Sequence, residues 1–370
     1  MSLDYQLVST TKGHNNCTIL HLKFSPDGNL LLSVAQDSSI CIWDCRPLVY
    51  NQPIQPYLSF VSQQGLITSI AWCSLNSEFI TGGGDGTIQV WNIKDNKIEQ
   101  SAILKGHHDS ITSIAARVTN ILTISSGSKD GDIKVWYANG ESKTLPKTHR
   151  GAVTSIDYSP FSARNLIITG GYDGSINLYD IDKNQCLQSW FENVEMTRIY
   201  PPISCVRFSP NGRFILVSSM DNVIRLFDLS THKCKRIYVG HRNQEYTENS
   251  NITVMHTINC GIITKGSGSR DHCYIVSGSQ DGNIWIWNLQ NKKPVQVIPF
   301  LNEEETQILK ETYPIGNEDI HAWCVDFHPF LKYIVAGSNF DGSIKFWKSE
   351  MLVHDDSDIL SDALLGLSVS

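Results

Sequence analysis

Short apolar runs alternate with turn residues along almost the whole chain. At seven places a turn gives way to strict apolar/polar alternation: DSSICIW, DGTIQVW, DGDIKVW, DGSINLY, DNVIRLF, DGNIWIW and DGSIKFW. Each segment opens on an aspartate and reaches an aromatic six residues later. The pairs are Asp37–Trp43, Asp85–Trp91, Asp130–Trp136, Asp173–Tyr179, Asp221–Phe227, Asp281–Trp287 and Asp341–Trp347. A period of two after a tight turn predicts a β-strand. A second apolar run lies upstream of each turn, as in LKFSPDGNLLLSVAQD, VRFSPNGRFILVSSMD and VDFHPFLKYIVAGSNFD. Within these runs SPDG at 25–28 and SPNG at 209–212 predict strand-to-strand turns. Successive aspartates are 48, 45, 43, 48, 60 and 60 residues apart. Four short strands fill each period.

The repeat fixes the fold class. A lone four-stranded sheet leaves two faces uncovered, whereas sheets packed radially cover one another and hide most of their edges. The units resemble the WD40 repeat, with Gly-His near the start and Trp-Asp at the end. Gly13-His14, Gly106-His107 and Gly240-His241 carry the first signature; Trp43-Asp44 carries the second, and Trp91-Asn92 and Trp287-Asn288 come close. The resemblance implies an all-β, seven-bladed WD40 β-propeller occupying residues 1–350, followed by an acidic-hydrophobic tail at 351–370. Ring closure needs the two ends of the chain to meet, so residues 3–10 are expected to add the outer strand of the last blade.

Composition narrows the class of function. Hydrophobic residues make up 41% of the 370, which supports a folded chain. A net charge of -7 gives no support for broad nucleic-acid binding. No apolar run reaches membrane-spanning length, and the first residues lack the basic and apolar regions of a signal peptide, so an intracellular protein without direct membrane binding is expected. Most of the ten cysteines sit in strand-like segments and read as buried free thiols. Cys41 and Cys45 are four apart, but no second close pair completes a zinc cluster.

Apparent catalytic groups recur too often to be catalytic. His14, Ser33, Asp37 and Trp43 are matched by His107, Ser126, Asp130 and Trp136, and by His149, Thr169, Asp173 and Tyr179. A Ser-His-Asp nucleophile occurs once per active site. The family resemblance implies hydrogen-bond networks tying turns to strands within blades. Val217 and Gly337 replace the hydroxyl in units five and seven, which should lean on apolar packing. The glycines of TGGGDG at 81–86 have no phosphate-binding lysine after them, and the histidines show no ligand spacing. No enzyme activity, catalytic residue, metal, cofactor or small-molecule substrate is expected.

Longer units carry the individual features. Residues 45–64 lengthen the first connection. Residues 243–272 read as a polar surface loop with a strand at 251–258. Residues 299–320 form another insertion, in which EEETQILKE favours one or two helical turns. These segments and the tail read as solvated loops or as partner contacts.

Residues 200–246 and 275–293 carry a narrower resemblance, to the WD-repeat scaffold subunit of COMPASS, the trithorax-type histone H3 lysine 4 methyltransferase complex. It implies a nuclear scaffold that holds a sister WD-repeat subunit and further subunits of the complex, with indirect chromatin association. A cleft of blades five and six would bind an acidic-hydrophobic peptide of the sister subunit through Asn211, Phe214, Leu226, Arg236 and Gln290. Asn211 would orient backbone, Phe214 and Leu226 would wall an apolar slot, Arg236 would meet a carboxylate, and Gln290 would edge the cleft. Tyrosine and lysine stand in the family where this chain has Phe214 and Arg236, and both changes keep the broad chemistry.

The family's second site, at the channel mouth, holds an arginine side chain between aromatic rings in animal relatives. Tyr172 and Tyr246 match that site. Thr112, Cys205 and Lys129 stand where phenylalanines would, Gly84 replaces an acidic residue and Gln36 an alanine. Lost aromatic faces remove cation-π contacts and Lys129 repels an arginine, so arginine-peptide recognition is not expected there. The other reading of the whole chain is a WD40 adaptor in a different assembly, such as ubiquitin ligation, RNA processing or trafficking.

Overall fold

The computed structural model describes residues 4–50, 52–62, 65–73, 77–118, 122–138, 140–160, 165–190, 200–244, 260–264, 273–312, 322–339 and 341–349. Seven four-stranded antiparallel sheets follow one another around a closed ring. Blade one runs Ile19–Phe24, Leu30–Ala35, Ser39–Asp44 and Pro56–Val61 from the channel outward. Blade five runs Ile203–Phe208, Phe214–Ser219, Asp221–Asp228 and Cys234–Gln244, and blade six Cys260–Thr264, Cys273–Ser277, Asn283–Asn288 and Pro294–Pro299. Blade seven consists of Ala322–Phe327, Tyr333–Ser338 and Ser343–Ser349, and takes Tyr5–Lys12 as its outer strand. The closing strand therefore begins at Tyr5 and continues two residues beyond the expected segment, pairing with Ser343–Ser349 through a bulge between Leu7 and Ser9.

Apolar patterning explains the layers. The second strand of a blade sits mid-sheet with a neighbouring blade on each face, so Leu30–Ala35 is buried at every position. The outer strand Lys97–Lys105 has only its inner side to cover, and it is mostly exposed. Seven apolar clusters form, one in each seam between consecutive blades. Val217 lies in the cluster between blades four and five, where its methyl groups take the space of the missing hydroxyl.

The turns obey their sequence. The residue after each signature aspartate adopts positive φ: Gly86, Gly131, Gly174, Gly282 and Gly342 in five blades, Ser38 (64°) and Asn222 (65°) in the other two. The SPDG and SPNG turns close with Gly28 N–H on Ser25 O and Gly212 N–H on Ser209 O.

Two insertions are more structured than a solvent loop. Residues 45–64 contain a 3-10 turn, Arg46–Tyr50, before the outer strand Pro56–Val61. Glu303–Thr312 is a ten-residue helix, longer than the one or two turns expected. Asn302 caps it reciprocally: its Oδ1 accepts Glu305 N–H at 2.7 Å while its own N–H donates to Glu305 Oε2 at 2.9 Å. The strand expected at 251–258, Tyr246, and the tail 351–370 lie outside the described residues.

Candidate partner cleft and channel mouth

The repeated His/Ser/Asp sets are built into the blade walls. In blade three, His107 Nε2 meets Ser126 Oγ at 2.8 Å, Ser126 accepts the Trp136 indole N–H at 2.8 Å, and His107 Nδ1 lies 3.2 Å from Asp130 Oδ2. Asp130 also accepts the N–H groups of His108 and Asp132. In blade four, His149 Nε2 meets Thr169 Oγ1 at 2.7 Å and Nδ1 lies 3.4 Å from Asp173. Blade one inserts a relay: His14 contacts Ser33 and Ser39, each at 2.6 Å, and Ser39 in turn bonds Asp37. These imidazole side chains are shut away from solvent, with His14 and His149 at 2% and 1% exposure. Burial pulls the pKa of His14 down to about 4 despite nearby Asp37, so it stays neutral at physiological pH.

The five candidate cleft residues lie on turns and strands at one end of blades five and six, with Phe214 and Leu226 in the seam between them. Asn211 sits in the turn before Phe214; its Oδ1 accepts from the Ser209 hydroxyl at 2.6 Å and from Arg213 N–H at 3.2 Å. Phe214 opens the second strand of blade five and packs, half-buried, against the seam cluster, as Leu289 does. The guanidinium of Arg213 lies over its ring at 5.3 Å. Leu226 pairs with Leu216 and Arg236 on neighbouring strands and is 1% exposed, so it forms the floor beneath Phe214 rather than a wall. Arg236 is half-buried on the outer strand. Gln290 follows Leu289, whose carbonyl accepts the Tyr238 hydroxyl at 2.7 Å and so ties the blade-six turn to blade five. The rim thus offers the Phe214 ring and the Arg236 guanidinium to a segment carrying apolar and acidic side chains, while Arg213 is engaged by Phe214 and by Asp228 at 3.6 Å.

Equivalent backbone bonds mark the opposite end of the channel. The N–H groups of Gln36, Gly84, Lys129, Tyr172 and Met220 each reach the carbonyl just before the innermost strand of their blade. Among these five, Tyr172 alone is aromatic, and it is half-buried. Thr112 does not line the mouth as an aromatic would. Its hydroxyl lies 3.0 Å from Gly127 O and bonds Val153 O of the next blade, while Thr68 and Thr154 make the same stitch to Ile111 and Ile203. Cys205 is wholly buried in the seam.

The family pattern described as WD domain, G-beta repeat matches seven segments, 5–44, 55–92, 98–137, 140–180, 196–228, 253–288 and 311–348. The chain belongs to the WD40-repeat family. This is the architecture of a scaffold or adaptor that binds partner proteins. Among curated proteins it is 24% identical over 304 residues to COMPASS component SWD3 of Saccharomyces cerevisiae, covering 80% of this chain and 88% of that protein. It is 22% identical to the striatin homolog of Dictyostelium discoideum, covering 85% of this chain but 38% of that protein. It is also 22% identical to the WD repeat-containing protein WDS homolog of Arabidopsis thaliana, covering 92% of this chain and 57% of that one.

Four WD40 blades depart from the His-Asp pattern, and the residue four after the aspartate shows how. In blade five, Arg225 pairs with Asp221 at 2.6 Å. In blade six, the Trp285 indole donates to Asp281 at 2.9 Å, and neither ring nitrogen of His241 has a hydrogen-bond partner among the described residues. Gly240-His241 thus matches the WD40 signature in sequence but makes no such network among the described residues. In blade two, Gln89 takes a hydrogen bond from Ser62. In blade seven, Lys345 is buried and reaches Glu305 of the inserted helix. Sequence reasoning missed this compensation because the position is not diagnostic: it holds Gln, Arg, Trp or Lys in the departing blades, but Lys134 also stands there in blade three, which keeps its network.

Proposed function

We propose that the chain is a non-catalytic scaffold subunit of a nuclear histone H3 lysine 4 methyltransferase complex of COMPASS type. It holds a sister WD-repeat subunit by an acidic-hydrophobic segment seated in the cleft of blades five and six, and places that subunit in register with the polypeptide that transfers methyl groups. The observation that carries this reading is the position of Phe214, Arg236 and Gln290 at one end of blades five and six. Likeness to COMPASS component SWD3 along most of both chains supports it. Phe214 supplies apolar area and Arg236 a planar pair of donors for a carboxylate, the kind of residues in which interface energy concentrates.

Pull-down of the sister subunit with purified variants tests it. Phe214→Ala loses packing. Arg236→Glu adds like-charge repulsion, about 2–5 kcal/mol where the contact is desolvated and less at a wet rim. Both variants keep the parent's circular dichroism. Full partner affinity in both would remove the cleft as the interface. Similarity to the striatin homolog favours a second reading, an adaptor in another assembly; it takes over in that event.

A further inference from the structure

Three seams of the ring share one device. The hydroxyls of Ser69, Ser113 and Ser155 accept the N–H groups of Ile114, Ile156 and Val206 in the next blade, at 3.0, 3.0 and 3.1 Å. Each serine is the first paired residue after the bulge in its innermost strand. Blades five and seven carry a cysteine at that place, Cys205 and Cys324. Both thiols reach across the seam to a backbone carbonyl, Cys205 to Cys260 at 3.8 Å and Cys324 to Ile19 at 3.7 Å. Cys324 therefore meets an aliphatic residue, whereas Cys205 meets a second cysteine. Cys205 and Cys260 are 0% and 5% exposed and share one apolar cluster. Beside them a channel cavity of about 200 Å³ is lined by Cys260, Arg207, Lys23, His21, Asp157 and Asp326.

We propose that Cys205 and Cys260 form a modification site, a dithiol that a small hydroperoxide converts into a disulfide joining blade five to blade six. The polar cavity, which Cys260 lines, brings a molecule of hydrogen peroxide's size to the pair from the blade-six side. Hydrogen bonding with Cys260 and the charge of Arg207 hold the Cys205 thiol below its ordinary pKa, and the Cys260 thiol is pushed up in return. Cys205 thiolate attacks one peroxide oxygen; the S–O bond forms, the O–O bond breaks and hydroxide leaves, taking up a proton to become water. The Cys260 sulfur then attacks the sulfenic sulfur, forming the S–S bond as the S–O bond breaks, and a second water leaves with the thiol proton. Two thiols are oxidised, one hydroperoxide is reduced, and positions 55 apart in sequence are joined across the seam.

The full folded chain, checked by circular dichroism, is treated with hydrogen peroxide, quenched with N-ethylmaleimide, digested without reductant and analysed by mass spectrometry. The expected result is a linked peptide pair holding Cys205 and Cys260, at least about tenfold above any other pair and removed by dithiothreitol. Cys205→Ser abolishes it and Cys324→Ser leaves it intact; serine already occupies this place in three other blades, so the fold tolerates it. Recovery of Cys205 and Cys260 as separately alkylated or over-oxidised peptides would overturn the proposal. So would a different dominant pair.

Discussion

Lys345 and Glu305 form an ion pair across the seam between the last two blades. The lysine Nζ lies 2.8 and 2.6 Å from the two carboxylate oxygens and 2.9 Å from Phe300 O, with the Phe300 ring at 5.1 Å. Lys345 is 2% exposed, so its charge has little water to fall back on. Glu305 also closes the capping box of its helix, so one carboxylate fastens the insertion to the propeller.

Glu305→Ala leaves that buried charge uncompensated and removes the cap together. The expected loss of stability is about 2–4 kcal/mol, read as a lower midpoint in urea. The double change Glu305→Ala with Lys345→Met should recover a large part of it, because no buried charge then remains. A midpoint unchanged in the single variant would show that the helix is not held by this pair.

The network in blade three makes a second claim. Asp130→Ala removes an acceptor from two backbone N–H groups and from His107. The cost should be about 1–3 kcal/mol by reversible denaturant unfolding, with the slope unchanged. A parental midpoint and slope would refute the structural role of the aspartate.

Much of the ring was legible because its signals are local and repeated. Seven Asp-to-aromatic segments became seven third strands, and the alternation LDYQLVST predicted the closing strand apart from its limits. The cleft was less legible. Phe214 and Leu226 both read as apolar strand residues, and period-two patterning does not distinguish a side chain at a seam's rim from one at its floor. The Lys345–Glu305 pair was hidden for another reason. Its partners are 40 residues apart, and a lysine in an alternating strand ordinarily points to water. Only the fold of the insertion reverses that reading.

Acid should destabilise the protein in two stages. Burial lowers His14, His241 and His328 to about 4, and burial reinforced by Arg207 and Lys23 lowers His21 to about 3. The unfolded imidazole titrates near about 6.5, so the unfolded chain binds more protons below that value. Stability is then fully present above about pH 6.5 and lost as pH falls toward about 4, by about 1–3 kcal/mol per imidazole. Asp341 adds a lower limb. Burial raises its carboxyl, but Lys12 at 2.8 Å and the hydroxyls of Ser343 and Ser338 outweigh this and hold it at about 2. Its contribution is present above the unfolded value of about 3.9 and lost as pH falls through about 2. Urea midpoints measured across this range should fall continuously below neutrality, and Asp341→Asn should remove only the lowest limb. A midpoint flat between about pH 7 and 4.5 would contradict the buried neutral imidazoles.

At the channel mouth, Thr112 is spent on a stitch between blades and Lys129 is exposed, with Tyr172 the lone aromatic of its ring of five. An unmodified histone H3 tail peptide should therefore bind more weakly than about 10 μM, or less than about 7 kcal/mol. Calorimetry giving submicromolar affinity that depends on the peptide's arginine would show that an arginine is held there after all.

Purification of the tagged chain from its own cells, followed by assay of the eluate on histone H3, tests the scaffold function most directly. The expected result is lysine 4 methyltransferase activity that co-elutes with the parent and with the sister WD-repeat subunit. That activity should fall at least about tenfold with the folded Arg236→Glu variant, a loss of about 1.4 kcal/mol or more in binding. An eluate in which the chain carries a stable set of other partners and no lysine 4 methyltransferase activity would contradict it.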